Sequence, residues 1–192
     1  MKQALLVIDA QKIYTDSNSE LYCRSSDNTL KKINRLIEHF EKKKFPIFLV
    51  RHVHATDGSD TGRLFDYAGD VEDFNFKEGS TEVEYSEDLV RPRNVIELSK
   101  TRYSAFQRTK LHDLLQKHGI KRVVVCGFMT NFCCESTARE AHDRDYYVTF
   151  TLDATGCPDL PGLKQERIRE VVGKLLEAGF ATVVDTDTYL AS

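Results

Sequence analysis

The sequence predicts an α/β fold: three layers, α/β/α, around a central, mostly parallel six-stranded sheet, formed as one domain over residues 1–192. Three observations carry this. Continuous apolar runs of strand length recur along the chain, and segments with apolar residues at helical spacing separate them. No internal repeat, low-complexity tract or long Pro/Gly/Ser linker divides the 192 residues, a length that one core accommodates. Strands alternating with helices are βαβ units, which connect as right-handed crossovers in a parallel sheet.

In chain order, Ala4–Asp9 (ALLVID) is a short apolar run that ends in an acid. Asp27 to Thr29 offer caps for a helix near Leu30–Lys44, with Leu30, Ile33, Ile37 and Phe40 on one face. Pro46–Val50 is a second buried strand, running into Arg51-His52-Val53-His54. Ala55–Arg93, rich in Gly, Asp, Glu and Ser, is a long loop region of the kind that lines sites. Asn94–Lys100 is a weaker strand, and Leu111, Leu114 and Leu115 mark a helix ending near His118-Gly119. Arg122–Gly127 (RVVVCG) is the clearest strand. A helix over Asn131–Asp145, a strand over Tyr147–Asp153, a helix over Leu163–Ala178 and a strand over Ala181–Asp185 complete the pattern.

Composition narrows the function. Twenty-seven basic against 30 acidic residues give a formal net charge of −3, so charge makes no case for nucleic acid or an anionic membrane as partner. The longest apolar runs fall well short of the ~20 residues of a membrane span. The apolar run at the start is too short for a secretory signal. The expectation is a soluble, cytoplasmic protein. Five cysteines, Cys23, Cys126, Cys133, Cys134 and Cys157, make an odd set with no CxxC spacing, which argues against a disulfide framework or a zinc cluster.

In parallel sheets, function gathers at the carboxyl ends of strands. The polar residues there are Asp9, His52, Lys100, the segment after Gly127, and Asp153. Cys133 falls in the first turn of the helix after the strongest strand. The partial positive charge and unpaired N–H groups of a helix start lower a thiol pKa and can hold an oxyanion. The plain alternative is a buried, inert cysteine. Cys126 reads as core, and Cys134, turned about 100° from Cys133, as packing against the sheet. Asp9 is either a cap or a general base, and Lys100 either a solvated side chain or a partner to both. An acid, a cation and a thiol at neighbouring strand ends form a coherent nucleophilic set.

These motifs resemble the isochorismatase-like cysteine hydrolases, a family that includes nicotinamidases, N-carbamoylsarcosine amidases and ureidoacrylate hydrolases. The resemblance spans essentially the whole chain. Its anchors are Leu5–Gln11 (LLVIDAQ), Val50–His54 (VRHVH), Lys100–Phe106 (KTRYSAF), Gly127–Ala141 (GFMTNFCCESTAREA) and Leu152–Ala154 (LDA). It implies a catalytic triad of Asp9, Lys100 and Cys133, with oxyanion donors at the backbone N–H groups of Met129 and Cys133. It implies a cis peptide between Phe128 and Met129. Tyr14 and Phe132 match positions that pack against substrate, with Gln11 near them. The implied reaction is C–N hydrolysis of a small amide, imide or ureido compound through a thioester. No cofactor is implied, and a homo-oligomer, dimer or tetramer, is.

The chain also departs from the family. Nicotinamidases carry D-x-H and further histidines that bind a divalent metal. Here His52 stands in place of the acid, and no histidine follows His54 until His112, so no metal is expected. Cys134 stands where many relatives are apolar, and Glu140 where Asp is usual. Two other readings remain: a vinyl ether hydrolase, which does not need the thiol, and a non-catalytic binding or redox-sensing member. Specificity would lie in the loops Tyr14–Thr29 and Ala55–Arg93, where Arg51, Arg63 and Arg102 are each either structural or partners for a substrate carboxylate.

Overall fold

The structure, a computed structural model, describes residues 1–66 and 74–192. The part of the Ala55–Arg93 loop between 67 and 73 therefore lies outside the described residues. The strands are β1 (Gln3–Ile8), β2 (Ile47–His52), β3 (Ile96–Lys100), β4 (Arg122–Phe128), β5 (Tyr147–Gly156) and β6 (Thr182–Val184). The helices are α1 (Lys12–Thr15), α2 (Ser26–Lys42), α3 (Leu111–Lys117), α4 (Glu135–Asp143), α5 (Gln165–Glu177) and α6 (Thr186–Leu190). A π-helical turn, Thr130–Cys134, leads into α4. No helix among the described residues is long and apolar enough to cross a membrane.

The six strands form one sheet in the order β3-β2-β1-β4-β5-β6, and every pairing is parallel, where a mostly parallel sheet was expected. A fully parallel sheet is covered on both faces, so its central strands are apolar throughout rather than alternating. In β1, Ala4, Leu6 and Ile8 face one core layer with Leu111, Leu115, Ala138, Ile168 and Leu176. Leu5 and Val7 face the other, with Leu30, Ile33, Ile37 and Phe40 of α2. Burial of each such aliphatic side chain contributes about 1.5–3 kcal/mol. Edge strand β3 alternates between half-buried and exposed until Lys100, which is buried.

Element boundaries differ from the sequence reading where tertiary contacts decide them. Helix α2 starts at Ser26, so Asp27 lies in its first turn, where an acid meets the positive end of the helix dipole, instead of capping it. Strand β5 continues past Asp153 because a register shift against β4 re-pairs Thr155 with Gly127 and Gly156 with Phe128. Asp153 is thus not a strand end. Its carboxylate pairs with Lys32 and accepts from Thr186 N–H at 2.7 Å and Thr186 Oγ1 at 2.8 Å.

Strand order reverses between β1 and β4: β2 and β3 lie to one side, β5 and β6 to the other. Loops diverge at such a switch point and leave a crevice at the carboxyl end. There Gly127 takes φ +123°, and a Cβ on it would stand 1.9 Å from the carbonyl oxygen of Ile8. Only glycine allows β1 and β4 to approach this closely.

Candidate active site

Three strand ends bring their polar residues together, buried, at the carboxyl edge of the sheet. Asp9 follows β1 with φ +48°, a left-handed conformation that aspartate tolerates better than most residues. Its N–H still donates to Val50 of β2 at 2.8 Å. Lys100 ends β3 and is the register partner of His52 on β2. Cys133 lies in the π-helical turn after β4, entered through a cis peptide between Phe128 and Met129. The turn is wide: Cys134 N–H donates to Met129 O at 3.1 Å, five residues back.

These residues meet. Lys100 Nζ lies 2.8 Å from Asp9 Oδ2 and donates to Cys133 Sγ at 3.2 Å and to Arg102 O at 3.0 Å. The ammonium has three protons, and these contacts match them. Neither side chain of the Lys100–Asp9 pair reaches solvent, and Cys133 is 1% exposed. The Asp9 carboxylate thus faces the Lys100 ammonium on one side and the Cys133 thiol on the other.

Burial dominates the electrostatics. It raises the Asp9 carboxyl above the usual range against the opposing pull of Lys100. It pushes the Cys133 thiol up to about 12, with Lys100 pulling down and Asp9 adding to the rise. The sequence reading expected a depressed thiol at a helix start. Desolvation opposes that and favours the neutral thiol. Lys100 is raised, because Asp9 and Cys133 together outweigh its own burial.

The residues read as substrate contacts are placed differently from one another. Tyr14, on α1, is buried and stacks on Phe128 at 5.5 Å. Phe132 is half-buried and packs against Tyr103 at 5.3 Å. Gln11 faces backbone: Nε2 donates to His52 O at 2.9 Å and Val83 O at 3.0 Å, and Oε1 accepts from His52 N–H at 2.8 Å. Its amide braces the end of β2 rather than facing a ligand. The three arginines are engaged too. Arg51 lies over the Tyr85 ring, Arg63 pairs with Asp66 at 2.8 Å, and Arg102 donates to Asp60 O at 2.7 Å. Cys126 and Cys134 are core, as the sequence reading had them.

Sequence reasoning missed Asp60. It accepts from His54 Nδ1 at 3.0 Å, while His54 Nε2 lies 3.0 Å from His52 Nε2. His52 ends β2 and His54 follows it two residues on, close enough for the rings to meet, but nothing local marks a loop aspartate six residues further.

One ligand atom each of Asp9, His52 and Cys133 lie within 4.8 Å of one another. This set does not suit a divalent cation. The Lys100 ammonium already occupies the space between Asp9 and Cys133, and a second positive charge beside it is repelled. The His52–His54 pair closes on itself at hydrogen-bond distance.

The isochorismatase domain family matches residues 3–188. Nicotinamidase 3 of Arabidopsis thaliana is 34% identical over 189 residues, which cover 96% of this chain and 85% of the relative. A ureidoacrylate amidohydrolase, RutB, of Methylorubrum extorquens is 35% identical over 97 residues, covering 50% of this chain and 37% of its own length. The crystal structure of a cysteine hydrolase from Pseudomonas syringae pv. phaseolicola 1448A superposes with a TM-score of 0.93 at 27% identity, over 99% of this chain and 91% of that one. A match that runs through all six strands and all three strand ends leaves one assignment: the chain belongs to the isochorismatase family of hydrolases.

Proposed function

We propose that this hydrolase cleaves a C–N bond of a small amide, imide or ureido substrate, with Cys133 as nucleophile, Asp9 as the base that activates it and Lys100 as the cation that holds both. The observation that carries this reading is the contact of one buried ammonium with both the acid and the thiol. The names of the nicotinamidase and ureidoacrylate amidohydrolase relatives support the C–N bond as the target.

The chemistry follows from the electrostatics. A buried thiol held up at about 12 does not ionise alone at neutral pH. Asp9, raised by burial and hydrogen-bonded to the thiol, is the ready acceptor for the Cys133 proton. Lys100 then faces a thiolate and a neutral acid, so one buried negative charge remains beside it throughout. The thiolate adds to the carbonyl carbon, and the N–H groups of Met129 and Cys133 hold the oxyanion. Asp9 passes its proton to the departing nitrogen, the C–N bond breaks, and a thioester remains for water. Tyr14 and Phe132 supply the apolar walls.

A vinyl ether hydrolase needs no thiol, whereas here the ammonium is built around one. A redox sensor does not need an acid and a cation packed against its thiol, as Asp9 and Lys100 are here. The test is ammonia or amine release over a panel of small amides, imides and ureido compounds after chelator treatment, with wild type and Cys133→Ala side by side. Release that survives chelation and vanishes in Cys133→Ala is the expected result. Release that persists in Cys133→Ala removes the nucleophile, and release from neither protein rejects the C–N reading.

A further inference from the structure

Hydrolysis of the thioester needs a base for the attacking water, and besides Asp9, which acylation leaves ionised again, an unused one stands at the site. His52, the last residue of β2, and His54, just past it, meet with Nε2 to Nε2 at 3.0 Å. His54 Nδ1 lies 3.0 Å from Asp60 Oδ1, and the Asp60 carboxylate is held by the Ala55 N–H, 3.1 Å from each of its oxygens. A carboxylate only accepts, so His54 Nδ1 carries a proton and its Nε2 carries a lone pair. His52 Nε2 must then donate, which leaves the lone pair of His52 on Nδ1. The chain of contacts fixes both tautomers.

His52 is also fixed in place. Its ring stacks on Phe76 at 4.5 Å and 13°, and its backbone N–H and carbonyl are both bonded to the Gln11 amide. It is buried, with a ligand atom within 4.8 Å of those of Asp9 and Cys133. The charged and titratable groups around it are Lys100 and Arg102 from β3 and the turn after it, Asp9 after β1, Cys133 after β4, and His54 just past its own strand. Burial and the two cations keep the ring uncharged, so its lone pair is available at neutral pH.

We propose that His52 is a catalytic base for the second half of the reaction, taking the proton of the water that hydrolyses the acyl-thioester, and that His54 and Asp60 are positioning residues that hold it in the required tautomer. This rests on the cysteine-hydrolase reading above. In the step, a water O–H bond breaks and its proton passes to His52 Nδ1 while the oxygen bonds to the thioester carbonyl carbon. The tetrahedral adduct collapses, the C–S bond breaks, and the departing sulfur takes the proton back from His52. Thioester and water become carboxylic acid and thiol, with no other reactant. The Asp60 carboxylate, acting through His54, steadies the transient imidazolium. Asp9 thus serves acylation and His52 serves deacylation.

The test uses p-nitrophenyl acetate, whose good leaving group acylates a thiol without needing the natural substrate. In chelator-treated wild type, p-nitrophenolate release is sustained. In His52→Phe, which retains a ring to stack on Phe76, one equivalent per chain appears in a burst. Turnover after the burst falls about 100-fold, and intact mass shows acetyl on Cys133. His54→Gln and Asp60→Asn move deacylation the same way by a smaller factor. A His52→Phe protein that slows burst and turnover equally, or neither, overturns the inference and leaves His52 a brace. Wild type that never acquires acetyl on Cys133 rejects the cysteine-hydrolase reading, and the inference with it. Where His52→Phe does not fold, nitrogen-15 NMR of the wild-type rings decides. Neutral His52 protonated on Nε2 and neutral His54 protonated on Nδ1 are expected. The reverse tautomers, or a metal bridging the two rings, overturn the assignment.

Discussion

Lys100 and Asp9 form an ion pair, 2.8 Å from Nζ to Oδ2, in which neither side chain reaches solvent. Desolvating two charges is costly, and their attraction offsets it only while both are present. Lys100→Met strands a buried carboxylate and should lower stability by about 3–5 kcal/mol, read from urea midpoints. The double variant Lys100→Met/Asp9→Asn removes both charges and should regain most of that loss. Activity should stay more than about 1,000-fold down in all of them. A double variant no more stable than Lys100→Met would show that the pair does not act as a unit.

Thiol reactivity and turnover should move in opposite directions at Asp9. The negative charge of Asp9 raises the Cys133 thiol and the positive charge of Lys100 lowers it. Asp9→Asn removes the first and keeps the second, so the thiol pKa falls from about 12 and the thiolate fraction at pH 8 rises. Alkylation of Cys133 by iodoacetamide should therefore speed up about tenfold or more, while amide turnover is lost with the base. Lys100→Met should slow alkylation. Peptide mapping after timed alkylation reads each rate, and a slower reaction in Asp9→Asn would refute the assignment of signs.

Away from the site, Asp159 offers a test of charge linkage. Lys164, the N–H of Gln165 and Arg24 hold its carboxyl down at about 2, against an ordinary 3.8. The folded value lies below the unfolded one, so the contribution to stability is complete above pH 3.8 and is lost as pH falls through about 2. Asp159 is only partly buried, so the effect is modest and weakens with salt. In Asp159→Asn, the stability difference from wild type should shrink as pH is lowered across that window. A difference that is flat from pH 5 to pH 2 would refute the linkage.

How much of this was legible in the sequence depends on the range of the forces involved. All six strands and the four longer helices follow from apolar periodicity, which is local. Asp9, Lys100 and Cys133 were legible because a parallel sheet brings strand ends together whatever the loops do. Short α1 and α6 carry too few residues for a periodic signal, and they form on contacts made elsewhere. Tyr14 of α1 lies on Phe128, and Asp153 accepts from Thr186 at the start of α6. The raised Cys133 thiol was misread because helix-start geometry is visible locally and desolvation is not. Asp60 was invisible because its link to His54 depends on the fold of a loop, which composition does not determine. The backbone partners of Gln11 were not legible either: a side chain beside a site can serve the backbone that builds it.

That service is measurable. The Gln11 amide satisfies His52 N–H, His52 O and Val83 O, all buried. Gln11→Leu keeps the volume and removes every partner, and each buried group left unpaired costs about 1–3 kcal/mol. A loss of about 3 kcal/mol is expected after partial relaxation, seen as a lower urea midpoint with an unchanged slope. Because the amide also sets the height of His52 on β2, turnover should fall further than the unfolded fraction accounts for. Gln11→Glu should not rescue either property, since a carboxylate would face two carbonyl oxygens. A Gln11→Leu protein as stable and as active as wild type would mean that water replaces the amide and that the end of β2 holds its position without it.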